Sequence, residues 1–175
     1  MTSAPREAIL IADASPLMVL AKTGRLDLVH RLTQRLLVPR KVWSELMSGN
    51  HPDQPTLRKV LSSFVVDSDP SIAAAYGLLV DEGEAGALAL AAQNPGSLIL
   101  MDDARGRQVA LAAGFRVMGT VGLMVRCARR GWIDSLESEL DKLAQAGLFL
   151  SPRVVTEALR RAHEPPDAAE TGVSS

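Results

Sequence analysis

The sequence predicts an α/β fold, a three-layer sandwich in which helices cover both faces of a central parallel sheet. Short apolar segments typical of strands alternate with longer segments of helical periodicity. Gly, Pro or a polar turn separates most of these segments. Because crossovers between parallel strands are right-handed, the carboxyl ends of all strands come to one edge of the sheet, where open α/β sheets bind their ligands.

The first predicted strand, Ala8 to Ala12, leads directly into a helix. Ser15 is a good N-cap, Pro16 suits the first helical position, and Gly24 ends the helix. Since Ser15 and Pro16 already start this helix, Asp13 is left for a role at the edge of the sheet.

The remaining elements follow in the same alternation. Up to the middle of the chain we expect a helix in "RLDLVHRLT", a strand in "RLLVP", a helix in "RKVWSELMSG", a polar-faced helix after the loop "HPDQP", and a strand in "FVVD". Beyond it we expect a helix in "LVDEGEAGALALAAQNPG", strands in "SLILMDD" and "FRVMG" around the helix "ARGRQVALAAG", and C-terminal helices in "TVGLMVRCARRGW", "SLESELDKLAQAG" and "SPRVVTEALRRAH". We expect one domain over residues 1–163, with a helical extension at its C-terminal end, and a disordered tail over 164–175.

Composition excludes several classes of protein and names no partner. The formal charge is -1, and a single cysteine, Cys127, excludes an internal disulfide framework. We expect no signal peptide, no membrane span and a cytoplasmic location, since no apolar run approaches the ~20 residues that a span needs. Aromatic residues make up 3% of the chain, which argues against an extended base-stacking platform.

Acidic residues collect where the predicted strands end. Asp13 follows the first strand, and the adjacent Asp102 and Asp103 follow the "SLILM" strand. Glu84 lies at the start of the helix before that strand, and Glu45 lies in the helix after "RLLV". Carboxylates in one crevice repel each other, so they either protonate or hold a cation. Oxygen ligands suit hard divalent ions such as Mg²⁺.

Each acid also has a purely structural interpretation. Asp103 has the position of an N-cap for the helix that follows it. Asp81 and Glu84 have the spacing of a capping box. Glu45 is four residues from Lys41, and such a pair contributes little on a solvated helix face.

Several segments, in this order, resemble the PIN-domain ribonucleases, and most closely the small prokaryotic branch akin to VapC toxins. The matching segments are "ADASPLMVLAKTGRLDL", "LVPRKVWSEL", "GEAGALALA", "LILMDDARGRQVA" and "GFRVMGTVGLM", and together they cover roughly residues 8 to 150. No single motif among them is specific, whereas the ordered set is.

The resemblance implies a hydrolase, an endoribonuclease that depends on Mg²⁺ or Mn²⁺. It carries the catalytic acids over to Asp13, Glu45, Glu84 and Asp102, with Asp103 as an auxiliary ligand, and it places Ser15 and Thr120 at polar positions that line such sites. Members of this branch are often toxins that a small antitoxin neutralises, and homodimers are common among them. An antitoxin, a second copy of the chain and RNA are therefore the partners that the resemblance implies.

Basic residues beside these acids are the candidate phosphate contacts. Arg105 and Arg107 lie on the helix directly after the aspartate pair, and Lys41 lies beside Glu45. Two other functions are compatible with the same residues. A phospho-acceptor receiver domain also combines an acidic cluster with Mg²⁺, although it needs its paired acids after the first strand and a lysine after the last. A PIN fold without catalytic activity, used to bind a partner, is the other.

Overall fold

The structure, a computed structural model, describes residues 7–165 of the chain. The chain divides into two compact units, residues 7–120 and a unit that contains residues 121–165. The first unit holds the whole sheet and every candidate site residue named above. Most of the predicted disordered tail lies outside the described residues. The expected single domain over residues 1–163 stays a prediction.

Five parallel strands form the sheet, in the order β3–β2–β1–β4–β5. The strands are β1 (Glu7–Ala12), β2 (Thr33–Pro39), β3 (Val65–Val66), β4 (Leu98–Leu100) and β5 (Arg116–Met118). Every predicted strand is present, so the predicted α/β fold with a central parallel sheet is confirmed.

Helices form the connections between the strands. Further helices make up the C-terminal unit. They are α1 (Ala14–Lys22), α2 (Asp27–Leu32), α3 (Arg40–Leu46), α4 (Gln54–Leu61), α5 (Pro70–Tyr76), α6 (Glu82–Gln93), α7 (Ala104–Ala112), α8 (Thr120–Arg129), α9 (Leu136–Gln145) and α10 (Pro152–Ala162). A 3₁₀ turn, Ser62–Phe64, precedes β3. Across residues 7–165, no helix has both the length and the apolar character needed to cross a membrane.

The first helix begins earlier than the sequence predicts. The expected N-cap, Ser15, is the second residue of α1 and is exposed, whereas Asp13 occupies the N-cap position in extended backbone conformation. The side chain of Asp13 accepts no capping hydrogen bond from the next turn. The prediction that Ser15 caps the helix was therefore wrong, and Asp13 is fixed where β1 ends and α1 begins.

Both faces of the sheet are buried, as the near-continuous apolar strands require. Ile11 of β1 pairs in register with Leu37 of β2 and Ile99 of β4, and the three side chains share a core cluster with α6 and α7. One residue earlier, Leu10 and Leu36 pair and are also buried, so alternation places them in the core of the opposite face.

Helix α6 is buried from Gly83 to Ala91. The structure covers every side of this run. A helix that is apolar all round is typical of a core position. Glu84 is therefore carried into the interior by its place on this helix.

We expect Ile99→Ala to lower the free energy of unfolding by about 3 kcal/mol, because it removes fully buried methyl groups from the centre of the sheet. Leu111→Ala is the matched control, since Leu111 is 60% exposed on α7 and its loss should change stability by less than about 0.5 kcal/mol. Urea denaturation of both variants measures the difference. Equal losses would contradict the burial of the sheet face that carries Ile99.

Candidate functional site

The carboxyl ends of β1, β4 and β5 are tied together at one edge of the sheet. The backbone N–H of Asp13 donates to the carbonyl of Leu100 at 3.0 Å, and that of Met101 donates to Met118 at 2.9 Å. Along the chain, β2 and β3 are added to the sheet on one side of β1, and β4 and β5 are then added on its other side. The switch point of the topology therefore lies between β1 and β4. Crevices at such switch points are the usual ligand sites of open α/β sheets.

Two carboxyl groups are buried at this edge, those of Asp13 and Glu84, each 6% exposed. Burial, against a hydrogen bond from the Ala14 backbone and together with the negative charges of Glu84, Asp81 and Glu45, raises the pKa of Asp13 to about 7. Burial also raises the pKa of Glu84 to about 7, with the charge of Asp81 as the next cause. The sequence-predicted acids Asp13, Glu45 and Glu84 are therefore brought together.

Glu84 forms the capping box that its spacing suggests. Its backbone N–H donates to Oδ1 of Asp81 at 2.8 Å, and its Oε2 accepts from the Asp81 backbone N–H at 3.3 Å. The structural interpretation is therefore correct, but capping alone does not explain the position of Glu84. A capping glutamate is normally solvated, whereas this one is buried beside other acids.

Asp103 is both a helix cap and a neighbour of Glu84. Its Oδ1 accepts a hydrogen bond from the backbone N–H of Gly106 at 2.8 Å, which caps α7. The nearby carboxyl group of Asp103 also raises the pKa of Glu84, after burial and the charge of Asp81. Neighbouring carboxylates repel each other, and a shared proton or a cation relieves that repulsion.

Glu45 borders the same cluster from α3. Its Oε2 lies 3.2 Å from the position that a Cβ on Gly83 would occupy, and Oδ1 of Asp81 lies 3.4 Å from that position. Partial burial and the charge of Asp81 raise the pKa of Glu45. The pairing with Lys41 suggested by the sequence is absent, because Lys41 Nζ donates to Glu82 Oε2 at 2.9 Å.

Asp81 is the site residue that sequence reasoning missed. Its spacing predicted only a helix cap, yet its charge raises the pKa of Asp13, Glu45 and Glu84. The capping-box spacing could have identified Asp81 as a site residue. Since Asp81 and Glu84 bond to each other's backbone, a site that contains Glu84 also has Asp81 beside it.

Asp102 faces a different set of partners. Its Oδ1 accepts from the Thr120 backbone N–H at 2.7 Å, and its Oδ2 accepts from the Thr120 hydroxyl at 2.6 Å. Arg107 packs beside this pair and donates to the Met101 carbonyl at 3.3 Å. A Cβ on Gly119 would stand 2.5 Å from Nη1 of Arg107 and 3.0 Å from Oδ1 of Asp102, so a larger residue there would push the end of the Arg107 side chain away and crowd Asp102.

The other predicted binding residues divide between the cleft and its surroundings. Arg105 lines a cleft of about 400 Å³ together with Asp81, Glu84 and Asp103. Ser15 is exposed on the first turn of α1, and Lys41 is exposed in its pair with Glu82. Ion pairs within residues 7–165 involve none of the three acids Asp13, Glu45 and Glu84.

The donor chemistry of the cluster fits a hard divalent cation. In the part of the chain that the structure describes, no three His, Cys, Asp or Glu side chains are already grouped so as to hold one ion. Asp13 and Glu84 are nonetheless buried without an ion pair among these residues, and the charge of Asp103 also raises the pKa of Glu84. A cation among carboxylate oxygens would relieve both the repulsion and the burial of charge.

A family model described as a PIN domain matches residues 9–164. The chain belongs to the PIN-domain family. No curated protein matches the chain. PIN domains are generally nucleases that use a divalent metal and act on nucleic acid, so the chain belongs to a nuclease-type family.

We expect Thr120→Val to lower the free energy of unfolding by about 2 kcal/mol, because Oδ2 of Asp102 then loses its hydroxyl donor inside the protein. Thr120→Ser keeps that donor and should lose about half as much. Urea denaturation of the two variants gives the comparison. A Val variant that is at least as stable as the Ser variant would show that this hydrogen bond does not stabilise the fold.

Without divalent cations, the PIN domain should become less stable as pH rises. The folded pKa values of Asp13 and Glu84, about 7, lie above their ordinary values of 3.8 and 4.5, so the folded state holds more protons than the unfolded chain between those limits. The free energy of unfolding therefore falls as pH rises through roughly 4 to 7, by up to about 6 kcal/mol for the pair.

Urea denaturation in a chelator at several pH values measures this fall. Asp13→Asn is the matched control, because it keeps the shape of the side chain and should flatten the pH dependence while leaving the contribution of all other carboxyls. If the stability of the parent stays constant or rises from pH 5 to pH 8 relative to Asp13→Asn, the pKa of Asp13 is not raised in the folded state.

Proposed function

We propose that this PIN domain is an endoribonuclease that hydrolyses RNA phosphodiester bonds and depends on Mg²⁺ or Mn²⁺. The observation that supports it most directly is the pair of buried acids, Asp13 and Glu84, at the switch point of the sheet. Strongly raised pKa values of clustered groups in a cleft are characteristic of functional sites. Family membership supplies the nuclease class.

Carboxylates of the cluster would hold the cation. The candidate ligands are Asp13, Glu84, Asp102 and Asp103, of which Asp13 and Glu84 have no ion pair among the described residues. Bound there, a divalent cation supplies positive charge to a phosphodiester and makes water a stronger acid.

The chain's own residues position the substrate and move the proton. Arg105 lines the cleft and is placed to contact a phosphate oxygen. Glu45 is exposed beside the buried acids, and its raised pKa suits Oε2 for taking a proton from the attacking water. Asp13 lies at the fixed junction of β1 and α1, so its carboxyl keeps one position relative to the sheet.

The VapC-like resemblance extends the proposal to a toxin that acts in the cytoplasm. A small antitoxin and a homodimer are then the expected protein partners. What supports this extension is the ordered set of sequence segments. A small reading frame next to the gene, encoding a protein that co-purifies with this chain and blocks cleavage, is the observation that tests it.

Asp13→Asn and Glu84→Gln should each lower cleavage of single-stranded RNA by about a hundredfold or more in Mg²⁺ or Mn²⁺. The matched control is Asp27→Asn, because Asp27 is an exposed acid that precedes β2, at the opposite end of the strands. Gel analysis of labelled RNA measures cleavage.

Thermal unfolding at pH 8 provides a second readout that does not depend on activity. Mg²⁺ or Mn²⁺ should raise the unfolding temperature of the parent and of Asp27→Asn, and should raise that of Asp13→Asn much less. Cleavage by Asp13→Asn at the parent rate would overturn the proposal. A parent that neither binds the ions nor cleaves RNA would be a PIN fold without catalytic activity.

A further inference from the structure

Residues 101–103 form the corner at which the chain leaves strand β4 and enters helix α7. Asp102, a candidate metal ligand, is the middle residue of this corner. Thr120 orients the carboxyl group of Asp102 by two hydrogen bonds, but the direction of the side chain also depends on the backbone that carries it. The contacts that hold this backbone therefore bear on the geometry of the candidate site.

The backbone of the corner is bonded to the sheet on one side and to α7 on the other. The N–H of Met101 donates to the carbonyl of Met118 at 2.9 Å, and the N–H of Arg107 donates to the carbonyl of Asp103 at 3.0 Å. The side chain of Arg107 adds a third bond, because its Nη1 donates to the Met101 carbonyl at 3.3 Å. Arg107 is thus bonded to both ends of the corner.

The carbonyl that accepts from the guanidinium belongs to the peptide unit that leads into Asp102. Met101 is fully buried, and a buried carbonyl without a hydrogen bond costs free energy. Without the guanidinium, this peptide unit would turn toward another donor, and the backbone of Asp102 would turn with it. The Arg107 side chain therefore restrains the residue that carries the carboxyl group.

The guanidinium of Arg107 lies against Gly119, where β5 leads into α8. A Cβ on Gly119 would stand 2.5 Å from Nη1 and 3.7 Å from Cζ of Arg107. The backbone of Gly119 is not in the left-handed region, so its conformation does not require glycine. The missing side chain instead leaves the space that the guanidinium occupies.

This placement argues against the phosphate contact that the sequence predicts for Arg107. Arg107 is half-buried, and its guanidinium is turned back onto the ends of β4 and β5. Arg105, two residues earlier on α7, is exposed and lines the acidic cleft, whereas Arg107 is not among the described residues that line it. The structure therefore separates two arginines that the sequence groups together.

We propose that Arg107 is a positioning residue of the candidate site, which holds the corner through the Met101 carbonyl and thereby fixes Asp102. Gly119 belongs to the same arrangement, because it leaves room for the guanidinium. The effect of Arg107 on cleavage rests on the proposed ribonuclease function, whereas its effect on the corner does not depend on that function.

Steady-state cleavage of single-stranded RNA in Mn²⁺, measured over a range of potassium chloride concentrations, separates positioning from phosphate binding. Arg107→Gln should lower kcat about tenfold, keep KM within about twofold of the parent, and keep the slope of log KM against log salt. Arg105→Gln should instead raise KM and make that slope shallower by about 0.7, as expected when one phosphate contact to a single strand is lost. Arg58→Gln, at an exposed arginine of α4, is the matched control and should behave as the parent.

The conservative variant Arg107→Lys keeps a positively charged donor for the Met101 carbonyl and should recover part of the lost kcat. If Arg107→Gln instead raises KM and makes the salt slope shallower, as expected of Arg105→Gln, Arg107 binds a phosphate and the inference is overturned.

Gly119→Ala displaces the guanidinium without changing Arg107, and the backbone at this position accepts alanine. This variant should lower kcat about as much as Arg107→Gln. The double variant should lose far less than the product of the two single losses, because both changes remove the same contact. Losses that multiply in full would show that the two residues act independently, and the inference would be wrong.

Amide hydrogen exchange in a chelator tests the corner without metal or activity. The N–H of the fully buried Thr120 donates to Oδ1 of Asp102 at 2.7 Å, so its exchange reports whether Asp102 stays in place. In Arg107→Gln the amides of Thr120 and Met101 should exchange about tenfold faster, while those of β1 and β2 keep the parent rates. Arg58→Gln should change none of them. Equal acceleration throughout the sheet, or none at Thr120, would show that Arg107 does not hold this corner.

The parent's cleavage of RNA, measured in the same preparation, separates the two proposals. If the parent cleaves RNA and Arg107→Gln keeps the parent kcat, the inference fails and the ribonuclease proposal stands. If the parent does not cleave RNA, the proposed function fails, and the exchange rates of Thr120 and Met101 still decide whether Arg107 holds the corner.

Discussion

The burial of two carboxyl groups without an ion pair is the constraint on which the rest of this site depends. An ionised carboxylate in a protein interior costs several kcal/mol unless a charge or hydrogen bonds compensate it. Asp13 and Glu84 meet this cost partly by holding their protons, as their pKa values of about 7 show. The fold therefore keeps an arrangement that works against its own stability, which is characteristic of sites selected for function.

The architecture produces this arrangement through close packing at the strand ends. Asp13 is fixed because α1 begins immediately after β1, and Glu84 is fixed because α6 enters the core with its first turn. Gly106 lets α7 pack closely against Met101 and Glu84. A Cβ at this position would stand 2.5 Å from Sδ of Met101 and 3.1 Å from Oε1 of Glu84. A larger residue at this position would displace either the core methionine or the carboxyl group.

Sequence reasoning recovered the strands and the edge where the acids meet, because both follow from local apolar runs and from the rule of right-handed crossovers. It missed α5, although Asp69 caps this helix and Pro70 is its first residue. The helix is short, and its apolar and polar residues do not alternate with a clear helical period. It also missed the partner of Lys41, since Glu82 lies 41 residues away in the chain. Contacts of this kind are decided by tertiary packing, and no local spacing encodes them.

The acids at this edge of the sheet differ in how they are held, and this difference too depends on tertiary contacts. Asp102 has a hydrogen bond at each oxygen from Thr120, so it is held more firmly than the acids around Glu84. That does not remove it as a ligand, because an ionised carboxylate has about four acceptor sites and Thr120 fills two. Ligating carboxylates are commonly oriented by such hydrogen bonds. Asp102 is thus a preoriented acid at the strand ends, whereas Glu84 lies under the charges of Asp81 and Asp103, a repulsion that a cation would relieve.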